Sequence, residues 1–321
     1  AIVNYLIKEC PQLLQETNIN MLTPLHSAAR GGNVQVIDTL IKAGSDIMAR
    51  TKEGKNILHS AALCNNLSAM EYLIKTYPQL KLDITNDGWT VLHCCCAGGN
   101  ISAMELLLQE GFDIKARTKD GWNALHIAAG NKNLAIVNYL IKECPQLHQE
   151  INIHMLTPLH SAARGGEVQL IETLIKAGSD IMTRTKEGCN ILHLTALCNN
   201  LSAMEYLIKT YPQLKPDITN DGWTVLHCCC AGGDISAMEL LLQEGFDIKA
   251  RTKDGWNALH IAAGNENLSI VNYLIKECPQ LLQETIEQCF ATISIEDFWS
   301  EALRALSNIF DTREIHDIDL D

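Results

Sequence analysis

The sequence predicts an all-α solenoid, in which short helical repeats stack one on the next. Histidines recur at a nearly constant spacing, each interval carries two helix patterns followed by a turn, and the block 1–134 recurs almost unchanged as 135–268. A regular period of this kind is typical of stacked repeats rather than of a single globular core. The recurring histidines are His26, His59, His93, His126, His160, His193, His227 and His260.

The stretch around His26 predicts the first helix of a repeat. Thr23 suits the N-cap, because its side-chain oxygen accepts a hydrogen bond from the first turn, and Pro24 suits the first helical position. Ala28 and Ala29 are small enough for neighbouring helices to approach closely. Gly31-Gly32 then ends the helix, since glycine adopts backbone angles that other residues resist.

A second helix and a projecting finger complete the predicted repeat. Within residues 34–43 the apolar residues fall on one helical stripe, and Gly44 ends the helix. Residues 45–54 lack such a stripe and carry polar turn residues, so we expect a β-hairpin finger there. The next repeat ends its second helix before Pro78 instead of at a glycine, which indicates that the building unit is a pair of repeats.

These motifs resemble the ankyrin repeat. Its pattern appears as TPLHSAARGG with VIDTLIKAGSD, as GWTVLHCCCAGG with AMELLLQEGFD, and as GWNALHIAA. The resemblance implies an α-solenoid whose β-hairpin fingers and first helices form a concave protein-binding surface. Met21 and Met155 depart from the pattern, because they replace the usual glycine before the motif.

The predicted repeat array spans residues 1–285. Residues 1–17 match 135–151 and 269–285, which follow a first helix, so we expect the chain to begin with a half repeat and to be a fragment of a longer protein. Eight repeats follow the half repeat. They form two near-identical four-repeat blocks, 1–134 and 135–268, which differ at 13 positions.

Residues 286–310 predict a C-terminal helical cap. The stretch from Ser294 to Asp297 resembles a capping box, and the apolar residues after it have helical spacing. Such a helix suits the exposed apolar end of a stack, and it equally suits docking to another domain or protein. Residues 311–321 indicate an acidic tail.

Composition and charge exclude several classes of function. The formal net charge of −13 argues against nucleic acid and against an anionic membrane surface, and no run of eighteen apolar residues is present to span a bilayer. Thirteen cysteines, an odd number in a long regular chain, indicate reduced thiols. We therefore expect an intracellular, cytoplasmic protein.

Two cysteine triplets, Cys94-Cys95-Cys96 and Cys228-Cys229-Cys230, stand where the repeat pattern has alanines. As small buried hydrophobes they need no ligand. The alternative is a zinc site that uses His93 and Cys96, which lie one helical turn apart, but no C-x-x-C pair offers further ligands. We expect no metal and no cofactor, and we expect Cys94 to be the accessible thiol of its triplet.

The recurring histidines predict a structural role. Each follows a Thr or Asn three positions earlier, and no nucleophile or carboxylate recurs with it in catalytic spacing. We expect the ring to tie finger to helix, with Thr23, Asn56, Thr90 and Asn123 as partners in the first block. The chain is therefore predicted not to be an enzyme.

The residue after each finger glycine is the first candidate for partner contact. Tryptophan at this position either anchors a partner or lies flat across the adjacent finger, and both interpretations stay open. The column reads Leu22, Lys55, Trp89, Trp122, Leu156, Cys189, Trp223 and Trp256.

Basic residues in the fingers are the second candidate. Beside aromatic residues they suit an acidic or amphipathic peptide, and the alternative is a solvated rim balanced by Glu53 and Asp120. The basic residues are Arg50, Lys52, Arg117, Lys119, Arg184, Lys186, Arg251 and Lys253. The two blocks are expected to present unequal surfaces, because they differ on one finger and first helix, at Lys55/Cys189, Ser60/Leu194 and Ala61/Thr195.

These observations predict a monomeric, non-enzymatic module that binds a protein partner. Near-identical tandem blocks are similar to those of ankyrin-rich effectors of intracellular bacteria and Wolbachia-type symbionts, and to those of spider latrotoxins. The effector resemblance implies a host regulatory protein as partner and, for a secreted effector, the host cytoplasm as location. Two alternatives remain: a recognition arm of a larger toxin or enzyme, and a structural spacer.

Overall fold

The computed structural model describes residues 2–281. The predicted cap at 286–310 and the acidic tail at 311–321 lie outside the described residues. The chain divides into two compact units, which meet in sequence between Ile153 and His154. Each unit is a stack of helix pairs, and the two are described separately below.

The first unit begins with a single helix, followed by four helix pairs. In three places a short 3₁₀ turn follows the second helix, at Pro11–Gln15, Pro78–Leu82 and Pro145–Gln149. The α-helices are α1 (Ile2–Glu9), α2 (Pro24–Gly31), α3 (Val34–Lys42), α4 (Ile57–Leu63), α5 (Leu67–Thr76), α6 (Val91–Gly98), α7 (Ile101–Gln109), α8 (Ala124–Gly130) and α9 (Leu134–Glu143).

The described part of the second unit consists of four more helix pairs, with a 3₁₀ turn at Pro212–Leu214. Its α-helices are α10 (Pro158–Gly165), α11 (Val168–Lys176), α12 (Ile191–Leu197), α13 (Leu201–Thr210), α14 (Val225–Gly232), α15 (Ile235–Gln243), α16 (Ala258–Gly264) and α17 (Leu268–Glu277).

Two layers of helices form the core of each unit. First helices pack on first helices, from α2 through α4 and α6 to α8 and from α10 through α12 and α14 to α16, and second helices form the other layer. Small residues allow the close approach in the first layer, where α4, α6 and α8 are buried from their first residue to their sixth. The last residues of these three helices are half-buried, so the helices offer little surface to a partner.

The helices end at the predicted glycine and proline residues. Gly44 adopts a φ of 101° after α3, and the proline type of end occurs where α5 stops at Thr76 before the 3₁₀ turn at Pro78. The prediction that glycine and proline ends alternate is confirmed.

The segments that join one helix pair to the next, here called fingers, are tight turns. In the second finger the Gly54 N–H donates to the Thr51 carbonyl at 2.9 Å, and the Thr51 N–H donates to the Lys55 carbonyl at 2.9 Å. The same closure recurs around Thr85, Thr118 and their counterparts. The predicted β-hairpins are not confirmed: residues 2–281 contain no β-sheet, and the one bridge among them joins Arg117 to Asn123.

Candidate functional site: the fingers

Backbone hydrogen bonds join successive fingertips within each unit. In the first unit Lys52 N–H donates to Asn20 O, Asn86 N–H to Glu53 O, Lys119 N–H to Asp87 O and Ile153 N–H to Asp120 O, at 2.8–2.9 Å. In the second unit Lys186 N–H donates to His154 O, Asn220 N–H to Glu187 O and Lys253 N–H to Asp221 O, each at 2.9 Å. The fingers of a unit therefore form one continuous row, on which side chains are held at fixed spacing.

The recurring histidine fastens each finger to the helix behind it. His26 Nδ1 lies 2.9 Å from Thr23 Oγ1 and accepts from the Thr23 N–H, while His26 Nε2 lies 3.2 Å from the Lys55 carbonyl of the next finger. His93 makes the equivalent contact with the Ala116 carbonyl at 3.1 Å. The predicted structural role is confirmed for these rings, and the capping box recurs in all eight repeats.

Burial keeps these imidazoles neutral. Desolvation lowers the pKa of His59, His93, His160, His193 and His227 to about 4. A buried, neutral ring whose Nδ1 faces its cap residue is poorly placed for proton transfer to an outside substrate.

The tryptophans pack over the histidine of their own repeat. The ring centroids of Trp89 and His93 are 6.2 Å apart, and those of Trp122 and His126 are 5.5 Å apart with an edge-to-face geometry. Trp122 is only 7% exposed, whereas Trp89, Trp223 and Trp256 are half-buried. Each half-buried indole thus combines a packing role with a partly exposed surface, and its contact with a partner stays a prediction.

The other members of this column offer less surface. Leu22 and Lys55 are half-buried, and the Lys55 ammonium pairs with Glu53 at 2.5 Å. Leu156 and Cys189 are buried, at 6% and 4% exposure, so their side chains have little area to offer a partner.

Three of the four finger arginines pair with an acidic residue of the following finger, and the fourth bonds within its own finger. Arg50 pairs with Asp83 at 2.5 Å, Arg184 pairs with Asp217 at 2.6 Å, and Arg117 lies 3.8 Å from Glu150. Arg251 donates to the Gly255 carbonyl at 2.7 Å. Because these guanidiniums are held, the predicted basic residues that extend positive charge from the row are Lys52, Lys119, Lys186 and Lys253, all exposed; Lys115 and Lys249 are exposed in the fingers as well.

Sequence reasoning missed the acidic partner of these arginines. Asp83 also accepts a hydrogen bond from Asn56 Nδ2 at 2.9 Å, and Asn123 and Asn190 donate in the same way to Glu150 and Asp217. The signal was present in the sequence, because the acid follows its arginine at one repeat length and occurs in alternate repeats. The contacts among the arginine, the acidic residue and the asparagine therefore join the repeats in pairs.

Exposed apolar side chains were also missed. Of the fifteen large apolar residues that are exposed within residues 2–281, ten lie in fingers and the other five lie on α1 and α17. The ten are Ile19, Met21, Met48, Leu82, Ile84, Ile151, Ile153, Met155, Met182 and Ile218. Among sequence signals, methionine in place of the finger glycine at Met21 and Met155 pointed to part of this set.

The predicted accessibility of Cys94 is wrong, and the predicted difference between the block surfaces is wrong at two of its three positions; at the third, Lys55 is half-buried and Cys189 is buried. Cys94 is fully buried rather than accessible, and desolvation raises the pKa of its thiol to about 12. Ser60, Ala61, Leu194 and Thr195 are also buried, because the first helices pack against one another. The block differences at these positions therefore alter internal packing and not the outer surface.

Residues 2–281 show neither a metal-binding cluster nor a membrane-spanning helix. That part of the chain holds no group of three or more His, Cys, Asp or Glu side chains placed to bind a metal ion. It also has no helix of the length and apolarity that a bilayer crossing requires.

Comparison with known proteins agrees with this architecture. A model of three ankyrin repeats matches the chain four times, over residues 1–83, 77–154, 142–220 and 211–282. The chain is 35% identical over 77 residues to the Notch-regulated ankyrin repeat-containing protein A of Danio rerio, a match that covers 21% of this chain and 69% of that protein.

Two longer relatives match over shorter shares of their length. The nuclear factor NF-kappa-B p105 subunit of Gallus gallus is 29% identical over 97 residues, which is 30% of this chain and 10% of that protein. The palmitoyltransferase AKR1 of Lachancea kluyveri is 35% identical over 85 residues, which is 26% of this chain and 11% of that protein. The chain thus spans about a tenth of these two relatives. It belongs to the ankyrin-repeat family, whose repeats generally serve as protein–protein interaction modules.

Proposed function

We propose that the fingers of this chain bind a protein partner through apolar anchors flanked by lysines. The observation that carries this proposal is the concentration of exposed apolar side chains in the fingers, together with their absence from the exposed sides of α2 to α16. Apolar groups exposed together on a rigid surface are favoured contact sites, because a partner removes them from water. The first helices α4, α6 and α8 contribute little, since they are buried by their neighbours.

One finger shows the arrangement in detail. Leu82 is 88% exposed and Ile84 is 50% exposed, and the half-buried Trp89 follows on the same finger. Arg50 is neutralised by Asp83 between the two apolar residues, whereas Lys52 on the preceding finger is exposed. A partner segment with apolar side chains and a nearby carboxylate fits this surface best.

The test uses chemical cross-linking and capture from a eukaryotic lysate with three forms of the chain. The finger variant carries Leu82→Ser, Ile84→Ser and Trp89→Ala, and the control variant carries Glu71→Gln, Glu105→Gln and Asn138→Ser, which are exposed on second helices of the same unit. A protein captured by the parent and the control but not by the finger variant supports the proposal. Equal capture by all three forms contradicts it, provided that circular dichroism shows equal helix content.

The same experiment addresses a second candidate, a recognition arm of a bacterial effector or of a larger toxin. The near-identical blocks favour it, because duplication of a whole four-repeat block with few substitutions multiplies one surface within a chain. Finger-dependent capture of a host regulatory protein from the cytoplasm supports this role, and finger-dependent capture of structural proteins alone contradicts it.

We further propose that the chain acts as a monomer, for which light scattering should give a mass near 35.5 kDa. A concentration-dependent rise in mass would favour a self-assembling spacer instead.

A further inference from the structure

The eight methionines of the chain divide into two equal groups by position and exposure. Four are fully buried at the same place on second helices: Met70, Met104, Met204 and Met238. The other four lie in fingers and are exposed: Met21 by 50%, Met48 by 42%, Met155 by 47% and Met182 by 43%. Since thioether oxidation depends on access of the oxidant to sulfur, the two groups differ in reactivity.

Each unit holds one pair of exposed methionines on successive fingers. The finger of Met21 is joined to the finger of Met48 by the Lys52 N–H bond to the Asn20 carbonyl at 2.9 Å. In the second unit the Lys186 N–H bond to the His154 carbonyl joins the fingers of Met155 and Met182 in the same way. Both pairs therefore belong to the row of fingers that is proposed to contact the partner.

Backbone geometry places these side chains outside the core. Met21 and Met155 adopt φ of 59° and 58°, in the left-handed region, at the position where the other described fingers have glycine. The Met48 and Met182 N–H groups donate to the side chains of Asp46 and Asp180 at 2.9 and 2.8 Å. These turns are formed by backbone and aspartate atoms, so chemical change at the sulfur leaves their hydrogen bonds intact.

We propose that Met21, Met48, Met155 and Met182 form a reversible oxidation site for hydroperoxides, by which the finger surface is switched from apolar to polar while the fold persists. In this step the sulfur is oxidised by two electrons, the peroxide O–O bond breaks, and one oxygen becomes the sulfoxide S=O. The other oxygen leaves as water from hydrogen peroxide, or as an alcohol from an organic hydroperoxide. Methionine sulfoxide reductases return the thioether, one enzyme for each sulfoxide epimer. The regulatory meaning of the switch rests on the proposed function, since it acts on the same fingers.

The buried sulfur groups are poor reactants, and the half-buried thiols of Cys10, Cys64, Cys198 and Cys278 are present in the leucine variant of the test as well. The Cys94 to Cys96 triplet is fully buried, and desolvation raises the pKa of Cys94 and Cys95 to about 12, which suppresses the thiolate that attacks peroxides. Oxidation of the four core methionines requires opening of the helix layers, so we expect it to be more than about tenfold slower than oxidation of the finger methionines.

The test treats the folded chain with hydrogen peroxide and follows each sulfur by peptide mapping. Hydrophobic interaction chromatography measures the surface apolarity of the same samples, and circular dichroism measures helix content. A variant with Met21, Met48, Met155 and Met182 all replaced by leucine is the matched control, because leucine keeps the apolar surface without the sulfur.

The proposal predicts sulfoxide at the four finger methionines before the core methionines, earlier elution, unchanged helix content and full reversal by the two reductases. The leucine variant should keep its elution after the same treatment. Oxidation of Met70 or Met104 at the same rate as Met21, loss of helix content, or earlier elution of the leucine variant would each overturn the proposal. No partner takes part in this test, so its failure is distinguishable from failure of finger-dependent capture.

Discussion

Replacement of Asn56 by alanine should destabilise the repeat more than the loss of an ordinary helix cap. Asn56 Oδ1 accepts from the Leu58 and His59 N–H groups at 3.0 Å, which caps α4. Its Nδ2 donates to the Leu80 carbonyl at 3.0 Å and to Asp83 Oδ2 at 2.9 Å. One buried side chain therefore caps a helix and also holds the start of the next finger.

The magnitude follows from the two roles. Loss of an N-cap costs about 1 kcal/mol. Leaving the Leu80 carbonyl and the Asp83 carboxylate without this donor costs about 1–3 kcal/mol, toward the lower end because Asp83 keeps its pair with Arg50. We expect a total of about 2–3 kcal/mol for Asn56→Ala, and about 1 kcal/mol less for Asn56→Ser, because serine keeps the cap that threonine forms in alternate repeats.

The assay is native-state hydrogen exchange at the amides of α4, supported by urea unfolding. Asn33→Ala is the matched control, since Asn33 caps α3 through Val36 at 3.2 Å and its side chain serves as a cap on an exposed helix start. It should cost about 1 kcal/mol. Asn190→Ala should repeat the effect in the second unit, where the same four contacts occur. A cost for Asn56→Ala no greater than that for Asn33→Ala would refute the two-role account.

Further predictions concern pH, glycine and thiols. The folded-state pKa of His93 and its counterparts is lowered from 6.5 to about 4. The stability that these histidines contribute at neutral pH should therefore be lost as the pH falls from 6.5 toward 4. A Tm that stays constant over this range would contradict this pH dependence. Gly99→Ala should be more destabilising in urea unfolding than Gly111→Ala. Both glycines have positive φ, but a Cβ at Gly99 would lie 2.4 Å from Asn133 Oδ1, whereas no atom lies within 4 Å of a Cβ at Gly111. Equal losses of stability would show that the contact with Asn133 is harmless. Cys94 and Cys228 should resist a thiol reagent until the chain unfolds, and rapid labelling of the folded chain would show that the first-helix layer is open.

Much of the fold was predictable because its determinants are local and recur. Thr23, Pro24 and Gly32 act within one helix, and the spacing of His26 and its counterparts counts the repeats directly. The finger geometry was less predictable, because only Arg117 and Asn123 form a bridge among the described residues and the turns are otherwise stabilised by threonine side chains and neighbouring fingertips.

The candidate site was predictable only in part. Exposure depends on packing between repeats, which a single repeat does not reveal: Trp122 is buried whereas Trp89 is half-buried, although both follow a finger glycine. Contacts between repeats also decide which cations are available, since Arg50 pairs with Asp83 on the next finger. Leu82 carries no motif, and its exposure became visible only in the fold.

Calorimetric titration with the captured protein tests most directly whether the fingers bind a protein. The finger variant (Leu82→Ser, Ile84→Ser and Trp89→Ala) should lose about 30-fold or more in affinity, equal to the roughly 2 kcal/mol or more expected of anchor residues. The control variant (Glu71→Gln, Glu105→Gln and Asn138→Ser) should bind as the parent does. An unchanged affinity of the finger variant would contradict binding by the fingers. A larger loss in the control variant would place the contact on the second helices.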